Sequence, residues 1–351
     1  MDKITELFNS SQTDAILVSS AENMRYLSGF SGGVGCLLLM RDYRYLLTDS
    51  RYTLMAKTQA KGFCVLEIQG EYAARVAELC REASVRTLAF ENLSMMFCAW
   101  AEFQKALEGI ALVPIETRLD DLRIVKTPQE IEWIRQAEAV GDRAFDRILE
   151  DIRPGVSELE IAAQLEYYLK TLGGEALSFD TIVASGENSA MPHAIPTHKK
   201  IRAGEFITMD FGCKVHGYCS DMTRTVVLGR ADEDQKRLYQ TVLDAQMRAL
   251  DAVCAGKTGQ AIDAIARKQI DHAGYAGQFG HGLGHGVGLA IHEAPRVSKT
   301  GSTSLPENTV VTIEPGIYLD GLYGVRIEDV VVVLQGGCTN LTHAPKKLIE
   351  L

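Results

Sequence analysis

Long apolar runs, paired cysteines and an excess of positive charge are all missing from this sequence. No run comes near the roughly 18 consecutive apolar residues that a membrane helix needs, and the first residues lack the pattern of a secretory signal. The eight cysteines are scattered without a CxxC pair, so reduced core thiols are expected. The net charge of -10 argues against nucleic acid as a partner. These absences predict a cytoplasmic protein with no membrane or nucleic-acid partner.

The length of 351 residues is enough for two domains, each with its own core. Up to about residue 122, apolar runs that are typical of strands alternate with helical patterns. The runs are DAILVSS, GCLLLMR, YRYLLTD and FCVLEIQ, and EYAARVAELCREA has the spacing of an amphipathic helix. The glycine-rich SGFSGGVG lacks the GxGxxG spacing of a dinucleotide-binding loop and indicates a turn. The first domain is therefore predicted to be an α/β unit.

The second domain begins with a helix whose start is marked by three residues. Thr127, Pro128 and Glu130 supply an N-cap, a proline at the first helical position and the glutamate of a capping box. Ser157 and Glu160 predict the start of a second helix by the same capping pattern. The predicted domains are residues 1–123 and 124–351.

The second domain has the order helix, helix, strands twice. The first two helices are followed by the strand-like FDTIVAS, the proline-containing loop GENSAMPHAIPTHKKIRAG and the strand-like stretch ITMDFGCKVHGYCSDMTRT. Two more helices, in DEDQKRLYQTVLDAQMRALDAV and GQAIDAIARKQIDHAG, precede the glycine-rich QFGHGLGHGVGLAIHEAP and the strand signals TVVTIEPGIY and VRIEDVVVVL. This order predicts two similar halves around one site, in a mixed α/β (α+β) fold.

Four carboxylates interrupt strand-like patterns in these halves, namely Asp210, Asp221, Glu314 and Glu328. Asp210 and Asp221 lie eleven residues apart in what is predicted to be a hairpin or two adjacent strands. A carboxylate that points into an apolar sheet must be paired or must bind a metal. A surface turn is the alternative for each residue taken alone. With one histidine of the glycine-rich stretch, however, four strand-borne carboxylates have the composition of a dinuclear site for Mn²⁺, Co²⁺, Fe²⁺ or Zn²⁺.

Five motifs carry a resemblance to a known family. MDFG, GYCSDMTRT, HGLGHGVGLAIHEAP, TIEPGIY and GVRIED resemble the ordered motifs of the pita-bread metallopeptidases, in the Xaa-Pro branch that holds prolidase and aminopeptidase P. The front third, with DAILVSSAENMRYLSGFSG, resembles the creatinase/prolidase N-terminal domain. The resemblance implies that this domain serves as a lid and dimerisation platform. It also implies a pita-bread catalytic domain with pseudo-twofold halves.

The same resemblance implies roles for the acidic residues and for one histidine. The metal ligands would be Asp210, Asp221, His285, Glu314 and Glu328, with Asp221 and Glu328 bridging two divalent ions. A hydroxide between the ions would be the nucleophile, and Glu314 would act as general base and proton shuttle. Mn²⁺ is the expected metal, with Co²⁺, Zn²⁺ and Fe²⁺ as alternatives.

Other polar residues match the substrate-handling positions of the family. His193, His281 and His292 would contact the substrate carbonyl and stabilise the developing oxyanion. Arg326 would hold the C-terminal carboxylate of the substrate, with a salt bridge to a neighbouring acid as the alternative. Tyr318 would line the proline pocket.

The reaction implied by the resemblance is hydrolysis of the bond between an N-terminal residue and proline, in dipeptides by a prolidase or in longer peptides by an aminopeptidase P. A homodimer is expected, in which the turn from Asp49 to Tyr52 is a candidate for a loop that closes the neighbour's active site. Two alternatives stay open. A methionine aminopeptidase-like enzyme would cleave peptides without proline, and a metal-free creatinase-like or binding protein would hold no metal.

Overall fold

The structure is a computed structural model that describes residues 3–10, 13–115 and 119–351. By its internal contacts the chain divides into two compact units, Met1–Arg123 and Ile124–Leu351. They are called the N-terminal unit and the C-terminal unit below. Among the described residues, no helix combines the length and the apolar character that a membrane crossing requires.

The N-terminal unit is built on a six-stranded mixed sheet with the order β4-β3-β2-β1-β5-β6. Strand β2 is antiparallel to β1 and β3, and the other neighbours are parallel. The four apolar runs that predicted strands are β1 to β4, so these predictions are confirmed. The strands are β1 (Ala15–Val18), β2 (Cys36–Met40), β3 (Arg44–Thr48), β4 (Cys64–Glu67), β5 (Thr87–Phe90) and β6 (Ala111–Pro114).

Both faces of this sheet are apolar, because successive side chains of a strand point to opposite sides. Leu17 and Leu38 belong to one buried apolar cluster, whereas Ile16, Leu37 and Leu39 belong to another. The amphipathic pattern of EYAARVAELCREA forms α4, as predicted. The helices are α1 (Lys3–Ser10), α2 (Ala21–Ser28), α3 (Thr53–Gln59), α4 (Tyr72–Glu82) and α5 (Phe97–Ala106), and a 3-10 turn covers Leu119–Arg123.

The C-terminal unit contains two pairs of helices, each followed by strands. The capping boxes predicted at Thr127 and Ser157 are confirmed. Each hydroxyl accepts a hydrogen bond from the backbone N–H of Glu130 or Glu160, and that glutamate accepts one in return from the backbone N–H of the N-cap. The helices are α6 (Pro128–Ile148), α7 (Glu158–Thr171), α8 (Glu233–Ala252) and α9 (Gly259–Ile270), and short turns of 3-10 and π helix cover Gly186–Ala190 and Asp271–Tyr275.

The strands of the C-terminal unit form several small antiparallel sheets. Their orders are β11-β10-β7, β12-β9-β8, β14-β13-β15-β18-β19 and β16-β17. The strands are β7 (Ala176–Leu177), β8 (Ile182–Ser185), β9 (Phe206–Phe211), β10 (Cys213–Val215), β11 (Tyr218–Cys219), β12 (Met222–Val227), β13 (Gly284–Gly286), β14 (Glu293–Val297), β15 (Val310–Ile313), β16 (Gly316–Leu319), β17 (Tyr323–Arg326), β18 (Asp329–Leu334) and β19 (Gly337–Asn340).

Strands β9 and β12 are adjacent and antiparallel, as predicted, but their register places Asp210 opposite Thr223. The residues between them leave this sheet, because β10 and β11 pair with each other and β10 pairs with β7. At Gly212 the backbone passes so close to the next segment that a Cβ would lie 2.0 Å from the carbonyl oxygen of Ser220. Asp221 therefore lies just before β12. The prediction that both aspartates are strand residues is correct for Asp210 and wrong for Asp221.

The two glutamates lie at facing breaks in one long hairpin. Strand β15 pairs with β18 and β16 with β17 in a single continuous register, in which Glu314 is opposite Glu328. The ladder stops there because Pro315 has no N–H to donate, and the backbone N–H of Glu328 donates to Thr223 O (3.1 Å). The prediction that these glutamates lie within strands is therefore wrong. Apolar residues continue on both sides of each break, so the sequence pattern did not reveal it.

Each half of the C-terminal unit has its own core. One buried apolar cluster joins residues of α6 and α7 to residues of β8, β9 and β12. The other joins residues of α8 and α9 to residues of β15, β16, β17 and β18. The order of helices and strands read from the sequence thus builds two halves, and both halves contribute acidic residues to one cluster.

The eight cysteines are all free thiols. Four are buried, as expected of core residues, but Cys64 and Cys98 are exposed. The core prediction is wrong for these two, because β4 is an edge strand of its sheet and Phe103 is the residue that α5 buries.

Candidate active site

Acidic side chains from both halves meet at His285, which lies on β13. Ligand atoms of Asp221, His285 and Glu328 all lie within 4.8 Å of one another. His285 Nε2 is 3.5 Å from Asp221 Oδ2 and 3.3 Å from Glu314 Oε1. Strand β13 pairs with β14 on one side and with β15 on the other, and the register with β14 shifts directly after His285. The histidine of the GHGVG stretch is thus held between two neighbouring strands of a sheet.

Asp210 joins this cluster from β9. Its Oδ2 accepts a hydrogen bond of 2.6 Å from Arg326 Nη2. Its Oδ1 is buried and has no hydrogen-bond partner among the described residues. The charge of Asp210 also contributes to the raised pKa values of Asp221, Glu314 and Glu328. The fold therefore brings together the five residues that the sequence proposed as metal ligands.

Burial is the largest cause of the pKa shifts in the cluster. It raises the pKa of Asp221 and of Glu328 well above their usual values, and the charges of Glu328 and Glu314 respectively raise them further. Burial also raises the pKa of Glu314 to about 7, against the lowering effect of Arg326. Desolvation and mutual repulsion both oppose the ionised form of such carboxylates. A divalent cation bound by these carboxylates would offset both effects.

The tautomer of His285 is set by the backbone. His285 Nδ1 lies 3.0 Å from Gly286 O, a contact in which the nitrogen must carry the proton. Nε2 is then unprotonated, and it is the atom that faces Asp221 and Glu314. Burial lowers the pKa of His285, so the ring is neutral at neutral pH. A neutral imidazole that is fixed through its other nitrogen is the form that binds a metal.

The donor set fits divalent cations. Four carboxylates and one imidazole, without a thiolate, suit hard and borderline ions such as Mn²⁺, Fe²⁺, Co²⁺ and Zn²⁺. Asp210 Oδ1 supplies a buried oxygen that no described protein group satisfies. Hydroxyls orient two of the other ligands, because Thr223 Oγ1 donates to Glu328 Oε2 (2.7 Å) and Thr312 Oγ1 donates to Glu314 Oε1 (3.1 Å). These residues therefore fit the divalent cations that the family resemblance implies.

Arg326, Tyr318 and His281 form a hydrogen-bonded chain beside the cluster. Arg326 Nη1 donates to Tyr318 Oη (2.9 Å), and Tyr318 Oη lies 2.9 Å from His281 Nε2. His281 Nδ1 lies 2.8 Å from Gly282 O and so carries the proton, which makes Nε2 the acceptor of the tyrosine hydroxyl. Burial, and then the charge of Arg326, lower the pKa of His281 to about 4. The histidine is therefore neutral, with both ring nitrogens engaged inside the protein.

Arg326 is buried, and all three nitrogens of its guanidinium donate hydrogen bonds to protein groups. Nε donates to Thr223 Oγ1 (2.9 Å) and Nη1 donates to Pro192 O (3.1 Å). The bond between Arg326 and Asp210 is the salt bridge to a neighbouring acid that was the alternative role for Arg326. Its contact with the substrate carboxylate stays a prediction.

His193 and His292 approach the cluster from loops. The ring of His292 lies edge-on to that of His285, with centroids 4.3 Å apart. His193 is exposed and lies close enough for its charge to lower the pKa of both His281 and His292. His198, on the same loop as His193, is also exposed.

Three residues that support the ligands were not identified from the sequence. Thr223 and Thr312 each lie two residues from an expected ligand, and a spacing of two on a strand was the signal that could have pointed to them. Glu138 is buried on α6, where its Oε1 accepts a hydrogen bond from the backbone N–H of Asp221 (2.9 Å) and its Oε2 accepts one from Thr342 (2.8 Å). Burial raises the pKa of Glu138 to about 8. An acid on the apolar face of a helix was the signal for Glu138.

Two family descriptions match the chain. Metallopeptidase family M24 matches residues 132–335, and the creatinase/prolidase N-terminal domain matches residues 1–125. This chain belongs to metallopeptidase family M24. It is a metallo-exopeptidase with the mixed α/β, pita-bread fold predicted from the sequence, and family membership implies divalent metal ions.

Relatives of this M24 peptidase match it along its whole length. The Xaa-Pro dipeptidase of Pyrococcus furiosus is 36% identical over 350 residues, which are 99% of each chain. The solved structure of the Xaa-Pro dipeptidase from Bacillus anthracis has a TM-score of 0.96 and 38% identity, and the match covers 100% of this chain and 99% of that one. The X-Pro aminopeptidase from Thermotoga maritima has a TM-score of 0.92 and 38% identity, with 99% and 100% covered. The resemblance to the Xaa-Pro branch is thereby confirmed.

Proposed function

We propose that this M24 peptidase hydrolyses the bond between an N-terminal residue and proline with two divalent cations held by Asp210, Asp221, His285, Glu314 and Glu328. The observation that carries the proposal is the convergence of these five side chains in one buried cluster. The peptidase activities for which its full-length relatives are named support the substrate class. Asp221 and Glu328 are the proposed bridging ligands, and Mn²⁺ is the proposed ion.

The proposed reaction needs an activated water and a place for the transferred proton. When bound, the divalent cations supply Lewis-acid polarisation of the scissile carbonyl and a more acidic water. The carboxylate of Glu314 accepts a proton from the attacking water and later donates it to the proline nitrogen. Thr312 holds Oε1 of Glu314, which leaves Oε2 for this transfer.

The residues around the cluster have proposed roles toward the substrate. His193 and His292 donate hydrogen bonds to the carbonyl oxygen as negative charge develops on it. His281 orients Tyr318 at the proline side, because both of its ring nitrogens are engaged with Tyr318 and the backbone. Arg326 holds Asp210 through Oδ2, which leaves Oδ1 for a cation, and its charge attracts the carboxylate of a dipeptide.

The two alternatives are opposed by separate observations. A methionine aminopeptidase-like activity is opposed by the match of residues 1–125 to the creatinase/prolidase N-terminal domain and by the names of the relatives. A metal-free binding role is opposed by the retention of all five ligand side chains in one cluster. Measurement of bound Mn²⁺, Co²⁺, Zn²⁺ and Fe²⁺ in purified protein tests the second alternative directly.

The experiment that tests the proposed function compares Ala-Pro, Ala-Pro-Ala and Met-Ala as substrates of the Mn²⁺-loaded protein, with a chelator-treated sample as control. Cleavage of Ala-Pro alone defines a prolidase, and efficient cleavage of Ala-Pro-Ala defines an aminopeptidase P. The likeness to solved structures does not separate these two, because the identity to one of each is 38%. Cleavage of Met-Ala alone, or of none of the three peptides, would overturn the proposal.

We also propose a homodimer in which the turn from Asp49 to Tyr52 closes the neighbour's active site. The side chain of Arg51 is 72% exposed, and Asp49 holds it through bonds of 3.1 Å from Nε and 2.7 Å from Nη2. Such a pre-ordered charge suits a contact with a second copy. We expect light scattering to give the mass of a dimer and Arg51→Ala to lower kcat/KM about tenfold. A monomer, or unchanged kinetics, would contradict this arrangement.

A further inference from the structure

One buried carboxylate, that of Glu158, holds both ends of the loop that carries His193. Glu158 is the first residue of α7 and has 0% exposure. At the start of the loop, Oε1 accepts hydrogen bonds from the backbone N–H (2.7 Å) and Oγ (2.8 Å) of Ser185. At its end, Oε2 accepts from the backbone N–H (3.1 Å) and Oγ1 (2.6 Å) of Thr197. Asn188 Nδ2 lies between, 3.0 Å from Oε1 and 3.1 Å from Oε2.

The surroundings of the Glu158 side chain require a hydrogen-bond acceptor at both of its oxygens. Each oxygen is approached only by hydrogen-bond donors in these contacts, which compensates for the loss of water. The N-terminal end of α7 adds the favourable effect of the helix dipole, and Lys199 Nζ reaches Ser185 Oγ at 2.8 Å. A glutamine of the same shape would place a donor against other donors at one end of the loop. Two acceptor oxygens are therefore needed at position 158, in addition to the size of the side chain.

The middle of the same loop contacts the strand that bears Arg326. Ser189 Oγ accepts a hydrogen bond from the backbone N–H of Gly324 (2.9 Å), and Pro192 O accepts one from Arg326 Nη1 (3.1 Å). His193 directly follows Pro192. His193 thus lies between the contacts of the loop with β17 and the end that Glu158 holds at Thr197. A displacement of about 1 Å in a reacting geometry can cost roughly 100-fold in rate.

We propose that Glu158 is a positioning residue, which closes the loop of residues 186–196 and thereby fixes His193 for hydrolysis. Glu158 itself is fully buried and acts only through the loop. The inference rests on the proposed function in one respect, namely the role of His193 toward the substrate. Its structural part, the closure of the loop, stands on the hydrogen bonds alone.

The test compares Glu158→Gln with Glu160→Gln in the Mn²⁺-loaded full chain. Glu160 lies two residues further along α7, where it completes the capping box with Ser157 and binds Lys200. Both substitutions remove one negative charge from the same helix end. The comparison therefore separates the loop closure from the general stability of α7.

We expect Glu158→Gln to lower kcat for Ala-Pro about 10- to 100-fold with little change in KM, and Glu160→Gln to leave kcat within about twofold. In a His193→Ala background, Glu158→Gln should add no more than about a twofold further loss, because both changes act through one side chain. The backbone N–H groups of Ser185 and Thr197 should exchange with deuterium at least about tenfold faster in Glu158→Gln.

A milder variant keeps the proposal testable if Glu158→Gln does not fold. Thr197→Val deletes the bonds of the Thr197 hydroxyl to Glu158 and to the backbone N–H of Lys199, and it keeps the carboxylate. It should lower kcat and speed amide exchange in the same way as Glu158→Gln, but by smaller factors. Fully multiplicative losses in the double variant, equal losses from Glu160→Gln, or unchanged amide exchange would overturn the proposal. If the parent protein cleaves neither Xaa-Pro peptide, the proposed function has failed, and amide exchange alone then decides whether Glu158 closes the loop.

Discussion

The hydroxyl of Thr223 connects an expected metal ligand to an expected substrate residue. Its Oγ1 donates to Glu328 Oε2 (2.7 Å) and accepts from Arg326 Nε (2.9 Å). Because a hydroxyl has one proton, the direction of both bonds is set by the guanidinium, which can only donate. Glu328 is thereby held through Oε2.

Thr223→Val removes both bonds and keeps the branched shape of the side chain. We expect the affinity for Mn²⁺ to fall about 10- to 100-fold, as is typical when a partner of a metal ligand is lost. Calorimetric titration of the metal-free protein measures this. Thr225→Val is the matched control two residues along β12, because Thr225 bonds to Thr208 and to Arg326 O and not to an expected ligand. Equal Mn²⁺ affinity of Thr223→Val and the parent protein would contradict the role of this hydroxyl.

The lowered pKa of His281 predicts that the stability of the fold depends on pH. Its pKa is about 4 in the folded chain, because burial and the charge of Arg326 disfavour the imidazolium. In the unfolded chain it titrates near its ordinary value of about 6.5. Between these values the unfolded state binds a proton that the folded state does not. This contribution to stability is therefore present above about pH 6.5 and is lost as the pH falls toward 4.

The measurement is the free energy of unfolding of the metal-free protein by urea, between pH 7 and pH 4. Relative to His281→Gln, the parent protein should lose about 1 to 3 kcal/mol more over this range. The acidic cluster has raised pKa values, which increase the stability as the pH falls. Comparing the two proteins removes this effect, because both contain the cluster. Parallel curves for the two proteins would show that His281 is not held neutral by the fold.

The close approach of strands β13 and β15 fixes the position of His285. A Cβ on Gly284 would lie 2.0 Å from Thr312 O on the neighbouring strand β15. Gly284→Ala should therefore lower the free energy of unfolding by about 1 to 3 kcal/mol through overpacking, and it should weaken Mn²⁺ binding because His285 is the next residue. Urea unfolding and calorimetry measure the two effects.

Gly280→Ala is the matched control in the same glycine-rich stretch. A Cβ at Gly280 meets nothing within 4 Å among the described residues, so the change in stability should stay within about 0.5 kcal/mol. If Gly284→Ala behaves like Gly280→Ala, the spacing between β13 and β15 does not determine the site.

Elements were predictable where the signal is local. The capping boxes at Thr127 and Ser157 depend on residues three positions apart, and the strands of the N-terminal unit depend on uninterrupted apolar runs. The breaks at Glu314 and Glu328 were not predictable, because a break depends on which strand pairs with which residue. The hydrogen bonds of Glu158 join residues 27 and 39 positions away, and no local pattern specifies such pairs.

At the scale of the whole molecule, two distant halves of one unit supply one cluster. Asp210 and Asp221 come from the half built on α6 and α7, whereas His285, Glu314 and Glu328 come from the half built on α8 and α9. The resemblance to the family pointed to these five residues, but the distances between them follow only from the packing of the two cores. The supporting acid Glu138 shows the same limit, because it meets Asp221 across 83 positions.

This M24 peptidase is proposed to cleave an Xaa-Pro bond with cations held by the acidic cluster. The most direct measurement is the release of proline from Ala-Pro by one preparation before chelation, after removal of metal and after Mn²⁺ is restored, beside Asp221→Ala. We expect turnover to disappear when the metal is removed and to return when it is restored. Asp221→Ala should fold but show no turnover. Turnover that survives chelation, or that Asp221→Ala retains, would contradict it.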